Sequence, residues 1–395
     1  MKTQRVKFRD IEQVPHLNIV TSFKSDFCGS SPAPFIGRYG YPHVNIGVLS
    51  PQFSGDVVQY DSPKLWSNKQ YTMGTIASLR YGLVNSHSNA YVKDRTNTFL
   101  DICREVGMAK RSAEVEISLQ SKPQLQLHPE REIKPFGPQG IIRKARITEN
   151  TKVDTRVDKI VSDTDLKAAS AVLTLYKKGF EENSIHKLLS VGTLGIGKQR
   201  KLVPTRWSIT AVDDTIANEL IKEIKEYPVG EYSVYFGGDW GNYYIILFFS
   251  DVWQYELFET YLDLRVNPWS KNGYAYSTDY EPYLGRKTYA EETAGGFYAA
   301  RVPILEKIKE RKRQGSCLAL RFISPEYNVP LGVWVCREAS RKCLQEKPVY
   351  FASKELMIMY TKELIQRKFG FNVDLLLHES ILLKELNVQK KLVEF

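Results

Sequence analysis

The chain has few of the residues that metal sites and disulfide frameworks require. Only 5 cysteines and 6 histidines occur among its 395 residues. No two cysteines have the CxxC spacing, which argues against a zinc ribbon and against a secreted disulfide framework. The histidines are scattered, and none pairs with another at the spacing of metal ligands. We therefore expect reduced thiols and no metal site.

Long apolar runs and familiar catalytic motifs are absent as well. No apolar run approaches the roughly 20 residues that cross a bilayer, and the polar N-terminus has no signal-peptide core. We therefore expect a cytoplasmic protein with no membrane partner. The sequence GIGK at 195–198 lacks the GxxxxGK[ST] spacing, and Gln199 stands where a magnesium-binding Ser or Thr is needed. This excludes a P-loop NTPase, and no GxSxG motif supports a hydrolase.

Positive charge and aromatic side chains are what the sequence has in excess. Lys and Arg outnumber Asp and Glu by 55 to 45, which gives a formal net charge of +10. Such an excess favours an anionic partner, with nucleic acid first. The 23 Tyr and 18 Phe residues supply rings that can stack on bases.

Hydrophobic periodicity indicates both strands and helices along the chain. Val44, Ile46 and Val48 alternate with polar or small residues, which predicts a strand, and 96–108 has the apolar spacing of a helix. The predicted fold class is α/β (mixed α+β), with a mixed sheet, flanking helices and a flexible C-terminal tail. Three further segments are assigned from local pattern: 26–34 as a loop, 253–264 as a helix and 331–336 as a strand.

A change in composition predicts where the chain divides. Four prolines fall within 123–138, and a basic strand and a polar stretch follow, so we place a boundary near residue 150. The predicted organisation is a flexible N-terminal segment (1–33), an N-terminal α/β subdomain (34–150), a C-terminal α/β subdomain packed on the first (151–386) and a clamp-binding tail (387–395).

One window, 195–215, combines cations, an indole and carboxylates more densely than any other. Its cations could neutralise phosphates while Trp207 stacks on a base. Arg38 and Tyr39 form a second such group in a predicted turn. The alternative places Trp207 in the core and the cations in a solvated loop. The predicted nucleic-acid or nucleotide-binding residues are Arg38, Tyr39, Arg200, Lys201, Arg206 and Trp207.

No motif specifies a catalytic residue. Asp213 and Asp214 could bind a divalent metal in a nuclease-like site, but adjacent side chains usually point apart. Capping of a helix over 215–227 is the favoured interpretation of this pair. His128, in the proline-rich loop, is the best histidine candidate. These three residues are the catalytic candidates, and the cofactor is unknown.

The last seven residues, QKKLVEF, carry the most specific short motif. Gln389, Leu392 and Phe395 match the Q-x-x-aliphatic-x-x-aromatic pattern of peptides that dock on a sliding clamp. In that mode the Gln forms hydrogen bonds, a one-turn helix forms, and the two apolar side chains enter a groove. We therefore predict that these three residues contact a clamp.

Four longer motifs stand in order along the chain: PFIGRYGYPHVNIGVLSP from Pro34, YDSPKLW from Tyr60, RKLVPTRWSITAVDDTI from Arg200 and GDWGNY from Gly238. With them the chain resembles the archaeal Nre family of DNA-repair proteins from about residue 34 to the end. The resemblance implies an archaeal protein of DNA damage repair that docks on the sliding clamp PCNA. Family members often begin with a cysteine-rich segment, whereas only Cys28 precedes Cys103 here, so metal binding is not carried over.

Three classes of function remain open at this point. The first hypothesis is a clamp-tethered repair factor whose basic, aromatic cleft binds DNA or a nucleotide-like ligand. The alternative is an enzyme that modifies DNA, a damaged base or a nucleotide cofactor, or else an adaptor that does not bind DNA. No reaction follows from the sequence.

Overall fold

The computed structural model describes residues 4–5, 23–125, 132–262 and 275–388. The predicted mixed α/β class is confirmed, because the described residues form helices and two mixed sheets. They divide into two compact units. The N-terminal unit contains the described residues up to 216 together with Pro330–Gly332, and the C-terminal unit contains the others and residues 4–5. The subdomain limits assigned from the sequence stay predictions.

Strand β1 (Gln4–Arg5) belongs to the C-terminal unit, and the next six strands form the sheet of the N-terminal unit. These strands are β2 (Asp26–Ser31), β3 (Ala33–Ile36), β4 (His43–Ser50), β5 (Val84–Tyr91), β6 (Ala113–Leu119) and β7 (Gln139–Ile147). Their order is β2-β6-β7-β5-β4-β3, and neighbours are antiparallel except for the parallel pair β5 and β7. The helices are α1 (Pro63–Asn68), α2 (Met73–Tyr81), α3 (Thr98–Met108), α4 (Thr155–Ser162), α5 (Ala168–Lys177), α6 (Glu182–Ser190) and α7 (Thr205–Ile224), whose last turns belong to the C-terminal unit.

The core of the N-terminal unit lies where its sheet meets helix α3. Side chains along β6 are alternately buried and half-buried, as expected when one face of a strand packs on a core. Helix α3 contributes Leu100 and Cys103 to the same cluster of buried side chains. The helix begins after Asn97, whose side-chain oxygen accepts hydrogen bonds from the first-turn N–H groups. The predicted strand at Val44–Val48 and the helix over 96–108 are both confirmed.

The C-terminal unit contains a seven-stranded sheet. Its further strands are β8 (Tyr232–Asp239), β9 (Asn242–Phe249), β10 (Tyr255–Tyr261), β11 (Ala275–Glu281), β12 (Ser316–Ile323) and β13 (Val349–Phe351). The order is β1-β11-β10-β12-β9-β8-β13, with β10 and β12 parallel, β1 and β11 parallel, and the other pairs antiparallel. The helices are α8 (Gly295–Arg311), α9 (Trp334–Gln345), α10 (Lys354–Phe369), α11 (Asp374–Glu379) and α12 (Ile381–Val388).

The two faces of this sheet differ in polarity. One face carries apolar side chains such as Phe258 and Leu320, which pack with buried residues of α10, α11 and α12. On the other face, strand register places Ser277, Glu259 and Arg321 opposite one another across β11, β10 and β12. Arg321 forms an ion pair with Glu259 and donates from Nε to Asn242 Oδ1 over 3.0 Å. A buried charge needs such partners, so these contacts favour one register of β12 against β10 and β9.

Three assignments made from the sequence are wrong. Residues 26–34 were predicted as a loop, but β2 and β3 occupy most of them, and a Cβ at Gly29 would lie 2.0 Å from the carbonyl oxygen of Pro51. The small residues therefore permit close packing of a strand. The segment 253–264 was predicted as a helix, but Tyr255–Tyr261 form β10, a central strand buried on both faces; the sequence of such a strand does not alternate between apolar and polar residues. The apolar run 331–336 contains the start of helix α9, because a short apolar run fits a buried helix as well as a strand.

Candidate nucleic-acid interface

The first turn of α7 lies beside the turn between β3 and β4. The backbone N–H of Ile36, the last residue of β3, donates to Thr205 Oγ1 over 2.9 Å. Thr205 is buried and is the first residue of α7. This bond holds the end of β3 at the start of the helix, so the residues that follow each element become neighbours.

The side chains brought together in this way are aromatic and exposed. Tyr41 and Trp207 have ring centroids 5.2 Å apart and remain 42% and 43% exposed. His43, two residues after Tyr41, pairs across the strands with Tyr91, and their ring centroids are 5.3 Å apart. We call Tyr41, His43, Tyr91 and Trp207 the aromatic shelf. A tryptophan is usually well buried, so the exposure of Trp207 beside the ring of Tyr41 indicates a surface for a ligand.

The turn carries two of the predicted binding residues at the edge of this shelf. The guanidinium of Arg38 lies 4.6 Å from the ring centroid of Tyr39, and its Nη2 donates to the Tyr39 hydroxyl over 3.0 Å. Tyr39 is 61% exposed. A guanidinium fixed on an exposed ring offers both a flat surface and a positive charge, which suits a base and its phosphate.

A second feature, which we call the basic pocket, is a cavity of about 720 Å³ lined in part by Arg95, Arg104, Lys198 and Arg200. Main-chain carbonyl groups hold two of these guanidiniums. Arg200 donates to Gly195 O over 2.7 Å and to Asp163 O over 2.9 Å. Arg95 Nη2 donates to the carbonyl oxygen of Lys198 over 3.1 Å. Carbonyl partners orient a guanidinium but leave its charge in place.

Nearby charges act on the pKa of Arg200 in opposite directions. Burial lowers the pKa of Arg200, the carboxylate of Asp163 opposes this effect, and the like charge of Arg104 makes a smaller contribution that lowers the pKa. Lowering of an arginine pKa by a second arginine means that the two cations repel each other. A bound anion would relieve that repulsion.

The shelf and the pocket are joined by short backbone connections. The N–H of Val92, directly after Tyr91, donates to Pro42 O over 3.0 Å, and the N–H of Leu202 donates to Val92 O over 2.8 Å. Arg95 in the pocket lies four positions after Tyr91 on the shelf, so their Cα atoms are at most about 14 Å apart. Both features therefore belong to one continuous region of the N-terminal unit.

Comparison with known proteins identifies the family. The family model described as "Archaeal Nre, N-terminal" matches residues 7–269, and "Archaeal Nre, C-terminal" matches residues 281–395. The chain belongs to the archaeal Nre family. The resemblance read from the four sequence motifs is thereby confirmed.

Curated relatives of this Nre chain carry DNA-repair names. It is 35% identical over 345 residues to DNA repair protein NreB of Archaeoglobus fulgidus, covering 87% of this chain and 86% of the relative. It is 37% identical over 325 residues to DNA repair protein NreA of Haloferax volcanii, covering 80% and 77% respectively. Identity to DNA repair protein NreA of Archaeoglobus fulgidus is 33% over 327 residues, covering 82% and 81%. No solved structure matches.

The other predicted binding residues of this Nre chain do not share one arrangement. Arg206 forms an ion pair with the buried carboxylate of Glu132, so it contributes to holding that segment. Lys201 is exposed in the segment that connects the pocket to α7. The window 195–215 is thus divided among the wall of the basic pocket, the segment that leads to α7 and the first turns of α7.

The catalytic candidates gain no support from the described geometry. Asp213 and Asp214 lie within α7, which begins at Thr205, so the helix-capping interpretation is wrong. Successive helical residues diverge by about 100°, and Asp213 is buried while Asp214 is half-buried. His128 lies outside the described residues, as do Gln389, Leu392 and Phe395. Within the described ranges, no group of three potential ligands could hold a metal ion, and no helix has the length and apolarity needed to cross a bilayer.

Sequence reasoning missed a buried cluster centred on Asp61. Its carboxylate forms ion pairs with Arg80 Nη1 at 2.9 Å, Lys134 Nζ at 2.6 Å and Lys187 Nζ at 3.4 Å. Burial alone would raise the pKa of Asp61, but the charges of Lys134, Lys187 and Arg80 outweigh burial and hold it well below its ordinary value. The four residues are spread over 127 positions, and no local pattern connects them.

Proposed function

We propose that this chain is a DNA-repair factor that binds single-stranded DNA on the aromatic shelf and docks on the sliding clamp PCNA through residues 389–395. The observation that carries the DNA part is the exposed ring pair of Tyr41 and Trp207, which lies in one region with the guanidinium-lined pocket. The names of the relatives support a role in DNA repair.

The physical chemistry of the shelf favours single strands over duplex. Bases within a duplex are stacked on each other and cannot reach a protein ring, whereas an unpaired base presents its face. Stacking on an aromatic side chain contributes about 1–3 kcal/mol per base and tolerates any sequence. The cations nearby would neutralise the backbone, so the affinity should fall steeply as salt increases.

Removing the indole should weaken binding of single-stranded DNA. We expect Trp207→Ala to raise the dissociation constant for a fluorescent 12-nucleotide strand about tenfold or more, because one stacking contact is lost. Tyr41→Ala should do the same to a similar extent, and the double variant should bind more weakly than either. Fluorescence anisotropy at two salt concentrations measures these constants.

Tyr350→Ala provides the matched control, because Tyr350 is an exposed tyrosine of the C-terminal unit, whereas the shelf belongs to the N-terminal unit. Its dissociation constant should equal that of the unaltered protein. Equal affinities of the Trp207→Ala and unaltered proteins would remove the shelf from the proposal. An affinity that does not depend on salt, or no binding at all, would favour the adaptor alternative.

The clamp part of the proposal rests on the sequence of residues 389–395. A peptide of this pattern inserts its aliphatic and aromatic side chains into an apolar groove, and such anchors carry most of the binding energy of an interface. We expect the double variant Leu392→Ala, Phe395→Ala to bind an archaeal PCNA at least about fiftyfold more weakly, as measured by isothermal titration calorimetry. Lys390→Ala, a change within the same segment outside the motif positions, should retain the affinity. Retained binding by the double variant would refute the assignment.

A further inference from the structure

We propose that the basic pocket binds the terminal phosphate of a DNA strand, a phosphomonoester at a 5′ or a 3′ end, while the adjoining bases stack on the aromatic shelf. This inference rests on the proposed binding of single-stranded DNA. It assigns the pocket a ligand of its own: the doubly charged end of a strand rather than a phosphodiester in its middle.

The first reason is that the pocket presents ordered positive charge. Arg200 and Arg95 are each oriented by main-chain carbonyl groups, and neither forms an ion pair among the described residues. Lys198 is exposed on the same wall. Because these guanidiniums are fixed before a ligand arrives, little side-chain entropy is lost when an anion binds.

The second reason is that the two nearby carboxylates are held by main-chain N–H groups or exposed to solvent. The carboxylate of Asp163 accepts hydrogen bonds from the N–H groups of Asp165 and Leu166 over 3.0 and 3.1 Å. Asp101 lies 2.8 Å from Arg104 Nη1, but it is a solvent-exposed partner, and such ion pairs are weak. An incoming phosphate can therefore compete for these cations.

The third reason is charge matching. A phosphomonoester carries about −1.5 to −2 charges near pH 7, since its second pKa is near 6. A phosphodiester carries one. Four cations line the pocket, against the carboxylates of Asp165 in its lining and of Asp163 and Asp101 beside Arg200 and Arg104. A pocket with this excess should prefer the more highly charged group.

The fourth reason is shape. The cavity of about 720 Å³ lies within the range of small-ligand sites, so it has room for a terminal nucleotide as well as its phosphate. Met108, Val161 and Ile196 supply apolar lining for a sugar or a base. The Cα atoms of Tyr91 and Arg95 are at most about 14 Å apart. A few nucleotides span this distance, so one DNA strand can occupy the pocket and the shelf together.

The test compares three versions of the same 12-nucleotide strand, which end in a 5′-phosphate, a 3′-phosphate or hydroxyl groups only. Fluorescence competition gives the dissociation constant of each, and the readout is the ratio of the hydroxyl-ended constant to the phosphate-ended one. For the unaltered protein we expect a ratio of about ten for one of the two phosphorylated ends, from charge-assisted hydrogen bonds. Which end shows the preference defines the polarity of the strand on the shelf.

Two variants locate the preference. Lys198→Ala and Arg104→Ala should each reduce the ratio, and the double variant should bring it close to one. Lys222→Ala removes an exposed lysine of the same charge from the C-terminal unit and should keep the ratio near ten. Trp207→Ala should weaken binding of all three strands and keep the ratio. Inorganic phosphate should compete more strongly with the preferred strand than with the hydroxyl-ended one.

The outcomes separate this inference from the proposed function. A ratio of one in the unaltered protein, with Trp207-dependent binding of all strands, overturns the phosphate-end site and leaves the shelf intact. A ratio of ten that persists in the double variant also overturns it, because the preference then arises elsewhere. No binding of any strand overturns the proposed function itself.

Discussion

Asp61→Ala should lower the free energy of unfolding of the N-terminal unit by about 3–5 kcal/mol, the cost of removing one partner from a buried ion cluster. The carboxylate is only 2% exposed and is the counter-ion of Arg80, Lys134 and Lys187. Without it, three cations would repel one another in a region largely closed to water. Its oxygens also accept a hydrogen bond from Asn183 Nδ2 over 3.1 Å, which would be lost as well.

Removing a cation from the same cluster should cost much less. Burial lowers the pKa of Lys134 to about 7; Asp61 opposes this effect, and the like charges of Arg80 and Lys187 add to it. A lysine whose charge is already disfavoured can be replaced by methionine of similar length while two cations still neutralise Asp61. We expect Lys134→Met to cost less than about 1.5 kcal/mol.

Urea unfolding combined with hydrogen exchange measured by mass spectrometry distinguishes these two variants. Exchange in peptides of the N-terminal unit reports its own opening, so the loss can be assigned to that unit. Asp61→Ala should speed exchange in β4 and α6 far more than Lys134→Met does. Equal losses from the two variants would mean that Asp61 is not the counter-ion on which the cluster depends.

Glu256→Ala should lower the free energy of unfolding of the C-terminal unit by about 2–4 kcal/mol, because buried donors lose their acceptor. Glu256 lies on the central strand β10, and its carboxylate accepts from the Ser380 hydroxyl over 2.5 Å and from the N–H groups of Ile381 and Leu382, each over 3.0 Å. It thus caps helix α12 from another element. Alanine would leave these groups at the start of α12 buried and unsatisfied.

Glu385→Ala is the matched control, since it removes an exposed glutamate from α12 itself. It should change stability by less than about 0.5 kcal/mol.

Burial raises the pKa of Glu256, so its carboxyl group binds a proton more tightly in the folded state than in the unfolded chain. Its contribution to stability therefore falls as pH rises from about 4.5 through the raised pKa, and Glu256→Ala should abolish that slope. An unfolding midpoint of Glu256→Ala equal to that of the unaltered protein would show that α12 does not depend on the carboxylate of Glu256.

Local patterns predicted the elements whose signals are local. The alternation of apolar and polar residues in β4 and the apolar periodicity of α3 are visible within about a dozen residues. Both elements form as predicted. The central strand β10 is predicted wrongly because its glutamates, Glu256 and Glu259, are buried against partners from α12 and β12. No pattern inside the strand reveals that those charges will be satisfied.

The candidate interface shows the same division between local and long-range information. The window 195–215 identified Trp207 and Arg200 as unusual, since a dense mixture of rings and cations is visible in the sequence alone. It could not show that Tyr41 would meet Trp207, or that Arg95 and Arg104 would line one cavity with Arg200. These contacts depend on strand pairing and on the bond between Ile36 and Thr205. Such partners can be recognised only after the chain has folded.

Helix α12 is held at both ends, by Glu256 at its start and by a hydrogen bond from Lys354 Nζ to Asn387 Oδ1 over 2.6 Å near its end. The seven residues after Val388 span at most about 25 Å even when fully extended. A clamp bound to Leu392 and Phe395 would thus be tethered within a short distance of the C-terminal unit, at a high effective concentration. Within that volume, even a weak second contact would re-form repeatedly without a new search through solution.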